Sequence, residues 1–240
     1  MSKIRRVYFT KLIARITILL ASIILYFYAP GQFEVIEGWN FFKKLSVFHV
    51  LWVAWVYDMV SQLFPVKNIA LGSQKQFKEK FRSVIHKLID WDKLKDYIKK
   101  TNKAAGKVMA LWASFIAAIS ALRHFKVLDN KHLLLISIAF YVCDLICVLI
   151  WCPFRLMLGN KCCTTCRIFN WDHMMMFTPM LMVGGFFSVS LLILAIIDLV
   201  IWESTIYLHP ERFWENSNMA LKCSECTDKL CTQYCQKLRK

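Results

Sequence analysis

The chain contains few of the residues that interrupt helices, and few acidic residues. Its 240 residues include 7 glycines and 5 prolines, and 16 acidic residues stand against 31 lysines and arginines. So little glycine and proline argues against long disordered linkers, and no repeat of about 20 to 50 residues indicates a solenoid. A glycine-rich phosphate loop, a G-x-S-x-G elbow and an HExxH helix are all missing, so the sequence offers no support for these chemistries.

Hydrophobic residues are abundant and are concentrated in runs. They make up 58% of the chain, with a mean hydropathy of +0.44, whereas a soluble domain is about 45–50% apolar. Long apolar runs are typical of membrane spans. The net charge of +15 fits cytoplasmic loops better than nucleic-acid binding, because no nucleic-acid-binding motif is present. We therefore predict an all-α, polytopic integral membrane protein whose partner is the lipid bilayer.

Five apolar runs are predicted to span the membrane. The first follows the basic start MSKIRR and has no cleavage site, so we interpret it as an uncleaved helix with Arg15 snorkelling to the interface. The last is longer than one crossing needs and contains Pro179 and Gly184-Gly185, which predicts a tilt or kink but not two crossings. The predicted spans, all within a transmembrane domain of residues 1–202, are residues 12–29, 45–64, 108–128, 132–152 and 174–202.

The distribution of positive charge predicts the orientation. Residues 67–107 carry twelve lysines and arginines against four acids, and the first residues of the chain are also basic. Residues 30–44 carry Glu34 and Glu37. The positive-inside rule therefore places the N-terminus and residues 67–107 in the cytoplasm, most simply at a cell (inner) membrane. Five spans would leave the tail, residues 203–240, outside, although this tail is itself basic.

Apolar residues also recur at helical spacing between residues 67 and 107, with lysines and arginines mostly between them. This pattern predicts one basic amphipathic helix on the inner membrane surface, where anionic lipid is its expected partner. The alternative is a helix packed on the cytoplasmic end of the protein itself.

Three aspartates interrupt apolar runs: Asp58, Asp144 and Asp198. Each costs about 2.5–3.5 kcal/mol at the centre of a membrane, so each should be paired or face a cavity. Asp58 and Asp144 are predicted at matching depth, with Tyr141 and Cys147 on the same helix face as Asp144. Asp198 is predicted near the outer face, away from them. The pair could bind a cation or a proton, or could only hold the helices together by hydrogen bonds.

Ten cysteines fall into three groups, and two of these groups lie in polar sequence. The stretch NKCCTTCRIFNWDH, residues 160–173, places cysteines beside Asp172 and His173, which are possible ligands at the membrane rim. The tail contains CSECTDKLCTQYC, whose C-x2-C pair resembles the spacing used for zinc or an iron–sulfur cluster. Disulfides are the alternative if the tail is outside. The candidate metal ligands are Cys162, Cys163, Cys166, Cys223, Cys226, Cys231 and Cys235.

The sequence leaves three functions open. The first is a membrane protein with cysteine-rich metal or redox sites, holding zinc or an iron–sulfur cluster and acting in metal handling or in electron or thiol transfer. The second is a cation- or proton-linked transporter that uses the intramembrane aspartates. The third is a non-catalytic scaffold with structural cysteines. The sequence does not indicate whether the chain is an enzyme or which partner proteins it has.

Overall fold

The computed structural model describes residues 3–63, 81–84, 89–159 and 166–225. This part of the chain is helical and has no β-strand apart from an isolated bridge between Ser83 and Asn218. Its α-helices are α1 (Lys3–Tyr28), α2 (Asn40–Lys43), α3 (Phe48–Leu63), α4 (Trp91–His124), α5 (Asn130–Leu149), α6 (Pro153–Leu158), α7 (Asp172–Phe177) and α8 (Phe186–Leu208). Short 3-10 helices include Pro30–Ile36, Phe169–Trp171, Thr178–Met182, Pro210–Phe213, Met219–Leu221 and Cys223–Glu225.

Four helices among the described residues are long and apolar enough to cross a membrane: Ile4–Tyr28, Trp91–His124, Asn130–Leu149 and Phe186–Leu208. Much of their apolar surface is exposed, for example at Leu20, Ile193 and Val200. Exposed apolar helix faces of this kind suit lipid rather than water. The structure is therefore compatible with an integral membrane protein, as the hydropathy pattern predicts.

Helix α4 differs from the sequence prediction. It begins at Trp91, where the Asp90 side chain accepts a hydrogen bond from the Lys93 backbone N–H at 3.1 Å, and it continues to His124. Residues 91–107 of the predicted surface helix and residues 108–124 of the predicted span 108–128 are therefore one continuous helix, whereas residues 81–84 of the predicted surface helix are not helical. Gly106 lies between the polar and apolar parts, but no proline does, and a single glycine costs only about 1 kcal/mol in a helix, so the helix continues through it. Residues 64–80 and 85–88 lie outside the described part.

The fifth predicted span also differs from the structure. It consists of α7, the 3-10 helix Thr178–Met182, and then α8, which starts after Gly184 and Gly185. Both glycines have positive φ, +69° and +96°, a conformation that glycine adopts without steric cost. The chain reverses at this turn, so α8 runs back along the bundle and ends at Leu208 rather than at residue 202.

The reversal gives the bundle two distinct ends. One end, which we call the far end, is held by three hydrogen bonds. The Tyr26 hydroxyl and the His132 ring are 3.1 Å apart, the Asn130 amide donates to Glu37 at 2.8 Å, and the Phe186 N–H donates to the Gly38 carbonyl at 3.0 Å. At the other, which we call the basic end, the chain start and residues 89–107, 153–159, 166–171 and 203–225 come together. Six segments of the described chain run between the two ends: α1, α3, α4, α5, the segment 166–185 and α8.

The tail begins at the basic end. The Tyr97 hydroxyl donates to the Phe213 carbonyl at 3.4 Å, and the Met219 N–H donates to the Arg82 carbonyl at 2.8 Å. The Trp202 indole N–H donates to the Arg167 carbonyl at 3.0 Å. The described part of the tail therefore packs against the basic stretch 81–107, whereas the five-span prediction puts these two segments on opposite sides. The difference arises because the chain reverses at Gly184-Gly185, so that α8 runs back towards residues 166–171.

Candidate functional site

Ionisable side chains from three helices meet inside the bundle, around Arg15 of α1. The Arg15 guanidinium is 2.7 Å from Asp144 Oδ2 and 3.3 Å from Asp58 Oδ2, and it donates to the Tyr141 carbonyl at 2.7 Å. The Tyr141 hydroxyl donates to Asp58 Oδ2 at 2.6 Å, and the Tyr141 ring lies 3.6 Å from the guanidinium carbon. Lys11, one helical turn before Arg15, lies 3.6 Å from Asp58.

The structure therefore brings Asp58, Asp144 and Tyr141 together, but with Arg15 between the carboxylates. Arg15 is only 8% exposed and does not reach out of the bundle as the snorkelling prediction requires. Two partly buried carboxylates attract the guanidinium more strongly than an interface does, because a charged pair is stronger where water is largely excluded. The position that a bound cation would take is filled by the protein's own side chain, which favours a structural role for this trio.

A second set of ionisable residues joins α7 to α8. Asp172 lies 3.4 Å from His173 Nδ1 and accepts a bond from the Gln62 amide at 3.4 Å. His173 interacts electrostatically with Asp198 as well as with Asp172. His173 is 3% exposed and Asp198 is 2% exposed. Neither carboxylate oxygen of Asp198 has a hydrogen-bond partner in the described structure, which is unusual for so deeply buried a group.

The position of Asp198 differs from the one that the sequence predicts. If residues 174–202 formed one span, Asp198 would lie near the outer face. In the structure, α8 instead runs back from the Gly184-Gly185 turn and places Asp198 in the middle of the bundle, near His173. The signal that could have located it is the Gly184-Gly185 pair, since two adjacent glycines can turn a chain through positive φ. Arg15 and Asp198 are both buried in the bundle, and sequence reasoning predicts neither of them at this site.

A cavity of about 130 Å³ opens beside these residues, between α4, α5, α6 and α7. Its wall contains Asp144 and Asp172, so it touches both ionisable sets. It also contains thiols from two of the three cysteine groups: Cys143, Cys147, Cys152 and Cys166. These four are thiols and not disulfides; Cys152 and Cys166 are buried, whereas Cys143 is exposed. The sequence groups these cysteines separately, and the bundle brings them to one cavity.

The other predicted metal ligands are not placed. Cys162, Cys163, Cys226, Cys231 and Cys235 lie outside the described residues, and of Cys223 only the backbone is described, at the start of a 3-10 helix. Within the described ranges, no group of three or more His, Cys, Asp or Glu side chains is arranged to hold a metal ion. Asp172 and His173, the possible rim ligands, contact each other. The carboxyl groups of Asp144 and Asp198 lie near His173.

The basic end also carries a well-defined ion pair next to Cys166. Arg167 donates to both carboxylate oxygens of Glu203, at 2.7 and 2.6 Å, and Trp171 donates to the same carboxylate at 2.7 Å. Such a bidentate pair fixes both position and direction. It holds Arg167, which follows Cys166, against α8 near the start of the tail.

Comparison with known proteins adds no relative: no protein-family model, curated protein or solved structure matches this chain.

Proposed function

We propose that this chain is a proton-linked membrane transporter whose proton site is formed by Asp172, His173 and Asp198. The observation that carries the proposal is the Asp198 carboxyl group, which is 2% exposed and lacks any hydrogen-bond partner in the described structure. Intramembrane Asp and His residues are costly and commonly form proton relays.

The surroundings of the four carboxyl groups support the assignment. Asp58 and Asp144 share Arg15, and Lys11 also lies beside Asp58. Asp172 contacts His173 and accepts a bond from Gln62. Asp198 has no hydrogen-bond partner among the described residues. An uncompensated buried carboxylate is so unfavourable that the group takes up a proton instead, and Asp198 is the group that we assign to hold this proton.

The proposed topology has six crossings, with both termini on the cytoplasmic side of a cell membrane. The six segments that run between the two ends of the bundle support this count, and the basic end then faces the cytoplasm and anionic lipid. The cavity beside Asp144 and Asp172 opens near that end and gives a small ion access to the carboxyl groups.

The proton site is tested first by infrared spectroscopy of the purified protein. A protonated carboxyl group has a carbonyl stretch that an ionised one lacks, so we expect this band near neutral pH in the wild type and its loss in Asp198→Asn. Asp129→Asn, at an exposed position outside the site, serves as the matched control and should keep the band. An unchanged band in Asp198→Asn would show that the proton is elsewhere.

Transport is tested separately in liposomes that carry a pH-sensitive dye. Wild-type protein should collapse an imposed pH gradient faster than protein-free vesicles, and Asp198→Asn should slow this at least tenfold while Asp129→Asn does not. Equal rates for wild type and Asp198→Asn, or no effect of the wild type, would contradict proton transport. Monodisperse elution of each variant shows that the bundle has folded.

A second candidate function is favoured by the position of the tail. Because Cys166 and the start of the tail both lie at the basic end, the two cysteine-rich motifs can contribute to one thiolate-bound metal centre, with zinc or an iron–sulfur cluster as its metal. A cytoplasmic location also favours thiols over disulfides. We infer that such a centre would act in metal handling or electron transfer.

Metal analysis of anaerobically purified protein tests this candidate. Stoichiometric zinc in a colourless sample, or iron with a visible absorption band, would support it, and Cys166→Ser should then reduce the metal content while Cys143→Ser, the control in α5, should not. Purified protein without zinc or iron would exclude the centre and leave the cysteines as structural features.

A further inference from the structure

Two cysteine thiols meet where α5 ends. Helix α5 stops at Leu149, and the chain turns into α6 at Pro153, so that Cys152 folds back towards the last turn of α5. The Cys147 and Cys152 side chains lie close together in the wall of one cavity. Cys147 is half-buried and Cys152 is buried, and both lie in the wall of the 130 Å³ cavity.

The rest of the cavity wall is also rich in sulfur. Met175 and Met176 of α7 line it, so two thioethers accompany the thiols. Arg155 of α6 is part of the same wall and contributes positive charge. Thiolates and thioethers are soft ligands, which prefer Cu(I) and similar ions to hard cations such as Mg²⁺ or Ca²⁺.

The geometry points to a two-coordinate site. We propose that Cys147 and Cys152 bind one soft monovalent metal ion, of the Cu(I) or Ag(I) class, between their two sulfur atoms. Zinc normally takes four ligands, and no group of three or more potential ligands is arranged for a metal among the described residues. A pair of thiolates is sufficient for a soft monovalent ion. This site uses neither His173 nor Asp198, although it lies in the wall of the cavity that we propose as the access route to the carboxyl groups.

The binding step balances in charge and in protons. Two neutral thiols and one Ag⁺ give a dithiolate complex with one negative charge, and two protons are released to solvent. Arg155 in the same wall provides a cation for the complex, and of the two carboxyl groups in that wall, Asp144 is paired with Arg15 and Asp172 contacts His173. No electron is transferred, so the step requires neither an oxidant nor a reductant.

The number of silver ions that the protein retains tests the site, and Ag(I) is used as the probe because it is stable in air. Reduced wild-type protein and variants are loaded with excess Ag(I), washed with a soluble thioether competitor and analysed for silver per chain. Cys147→Ser and Cys152→Ser should each retain one ion fewer than the wild type, and the double variant should also retain only one fewer. Cys143→Ser, which changes a thiol in the same cavity outside the pair, should retain as many ions as the wild type.

The double variant decides whether the ion is shared. A loss of two ions would mean that each thiol binds its own, and no loss would mean that neither binds; both results overturn the proposal, as does an equal loss in Cys143→Ser. Alkylation of Cys147 by N-ethylmaleimide, quantified on its peptide by mass spectrometry, gives a second readout. Silver should protect Cys147 at least tenfold in the wild type and Cys143→Ser but not in Cys152→Ser, and protection that persists in Cys152→Ser also contradicts a shared ion.

Discussion

Arg15 and Asp144 form a 2.7 Å ion pair between α1 and α5, in a site where the Arg15 side chain is almost completely buried. Asp58 of α3 shares the same guanidinium at 3.3 Å. Replacing Arg15 by Met leaves two carboxylates without their shared cation, and loss of one partner of a buried ion pair typically costs about 3–5 kcal/mol. We therefore expect Arg15→Met to lose most folded protein, measured as monodisperse yield and as thermal unfolding in detergent.

Two variants separate charge from shape at this site. Arg6→Met removes an exposed cation from the same helix and should leave the unfolding temperature unchanged. Adding Asp144→Asn to Arg15→Met removes one of the two carboxylates that had shared the Arg15 cation and should recover part of the lost stability. If Arg15→Met is as stable as Arg6→Met, the ion pair does not hold the three helices together.

Depth matching from the sequence anticipates that Asp58 and Asp144 are neighbours, because proline ends both runs and helical rise converts residue number into depth. It does not anticipate Arg15, whose position near the start of the apolar run is equally typical of snorkelling. The identity of its partner depends on which face of α1 packs on α5, and this is a tertiary contact without a local signal. The course of residues 166–208 is missed for a similar reason: one long apolar run does not reveal a reversal at Gly184-Gly185.

The turn at Gly185 is specified by two separate constraints. A Cβ atom there would lie 2.5 Å from the Gly38 backbone nitrogen, and φ is +96°. Backbone cannot move aside as a flexible side chain can, so Gly185→Ala should destabilise the bundle by roughly 2–4 kcal/mol, combining conformational strain with overpacking. Thermal unfolding and protease resistance in detergent measure this effect.

Two other glycines serve as matched controls for that variant. Gly184 has φ of +69°, but a Cβ added there would have no described atom within 4 Å, so Gly184→Ala reports the backbone strain alone. Gly31 has neither constraint, so Gly31→Ala should be close to wild type. The expected order of stability is Gly31→Ala, then Gly184→Ala, then Gly185→Ala; an equal effect at 184 and 185 would mean that the contact with Gly38 contributes nothing.

The proposed six-crossing topology predicts that positions near both described ends of the chain are labelled from the same side of the membrane. Single cysteines at three exposed positions, Arg6→Cys, Lys43→Cys and Asn216→Cys, are introduced after the native cysteines are replaced. In sealed cells, a membrane-impermeant maleimide should react with residue 43 only, and residues 6 and 216 should react after lysis. Reaction of residue 216 in sealed cells, with residue 6 protected, would restore the five-crossing topology.

The start of α5 provides a pH-dependent prediction outside the membrane-spanning helices. The Asp129 carboxylate accepts a bond from the His132 backbone N–H at 3.0 Å and lies 2.8 Å from the His132 ring, in a capping box. Partial burial opposes ionisation, but the His132 N–H and ring favour the carboxylate more strongly and lower the pKa of Asp129 below its ordinary value. The carboxylate is therefore more stable in the folded than in the unfolded chain.

The sign of the pH effect follows from this lowered pKa. The stabilisation by ionised Asp129 is complete above the unfolded pKa, near 4, and is lost as the pH falls through the lower folded value. Asp129→Ala should cost about 1 kcal/mol at neutral pH because it removes the cap, whereas Asp129→Asn keeps a capping oxygen and loses only the charge. The unfolding temperatures of the wild type and Asp129→Asn should therefore converge as the pH is lowered below 4, and a gap that widens towards acid pH would contradict the assigned role of the carboxylate.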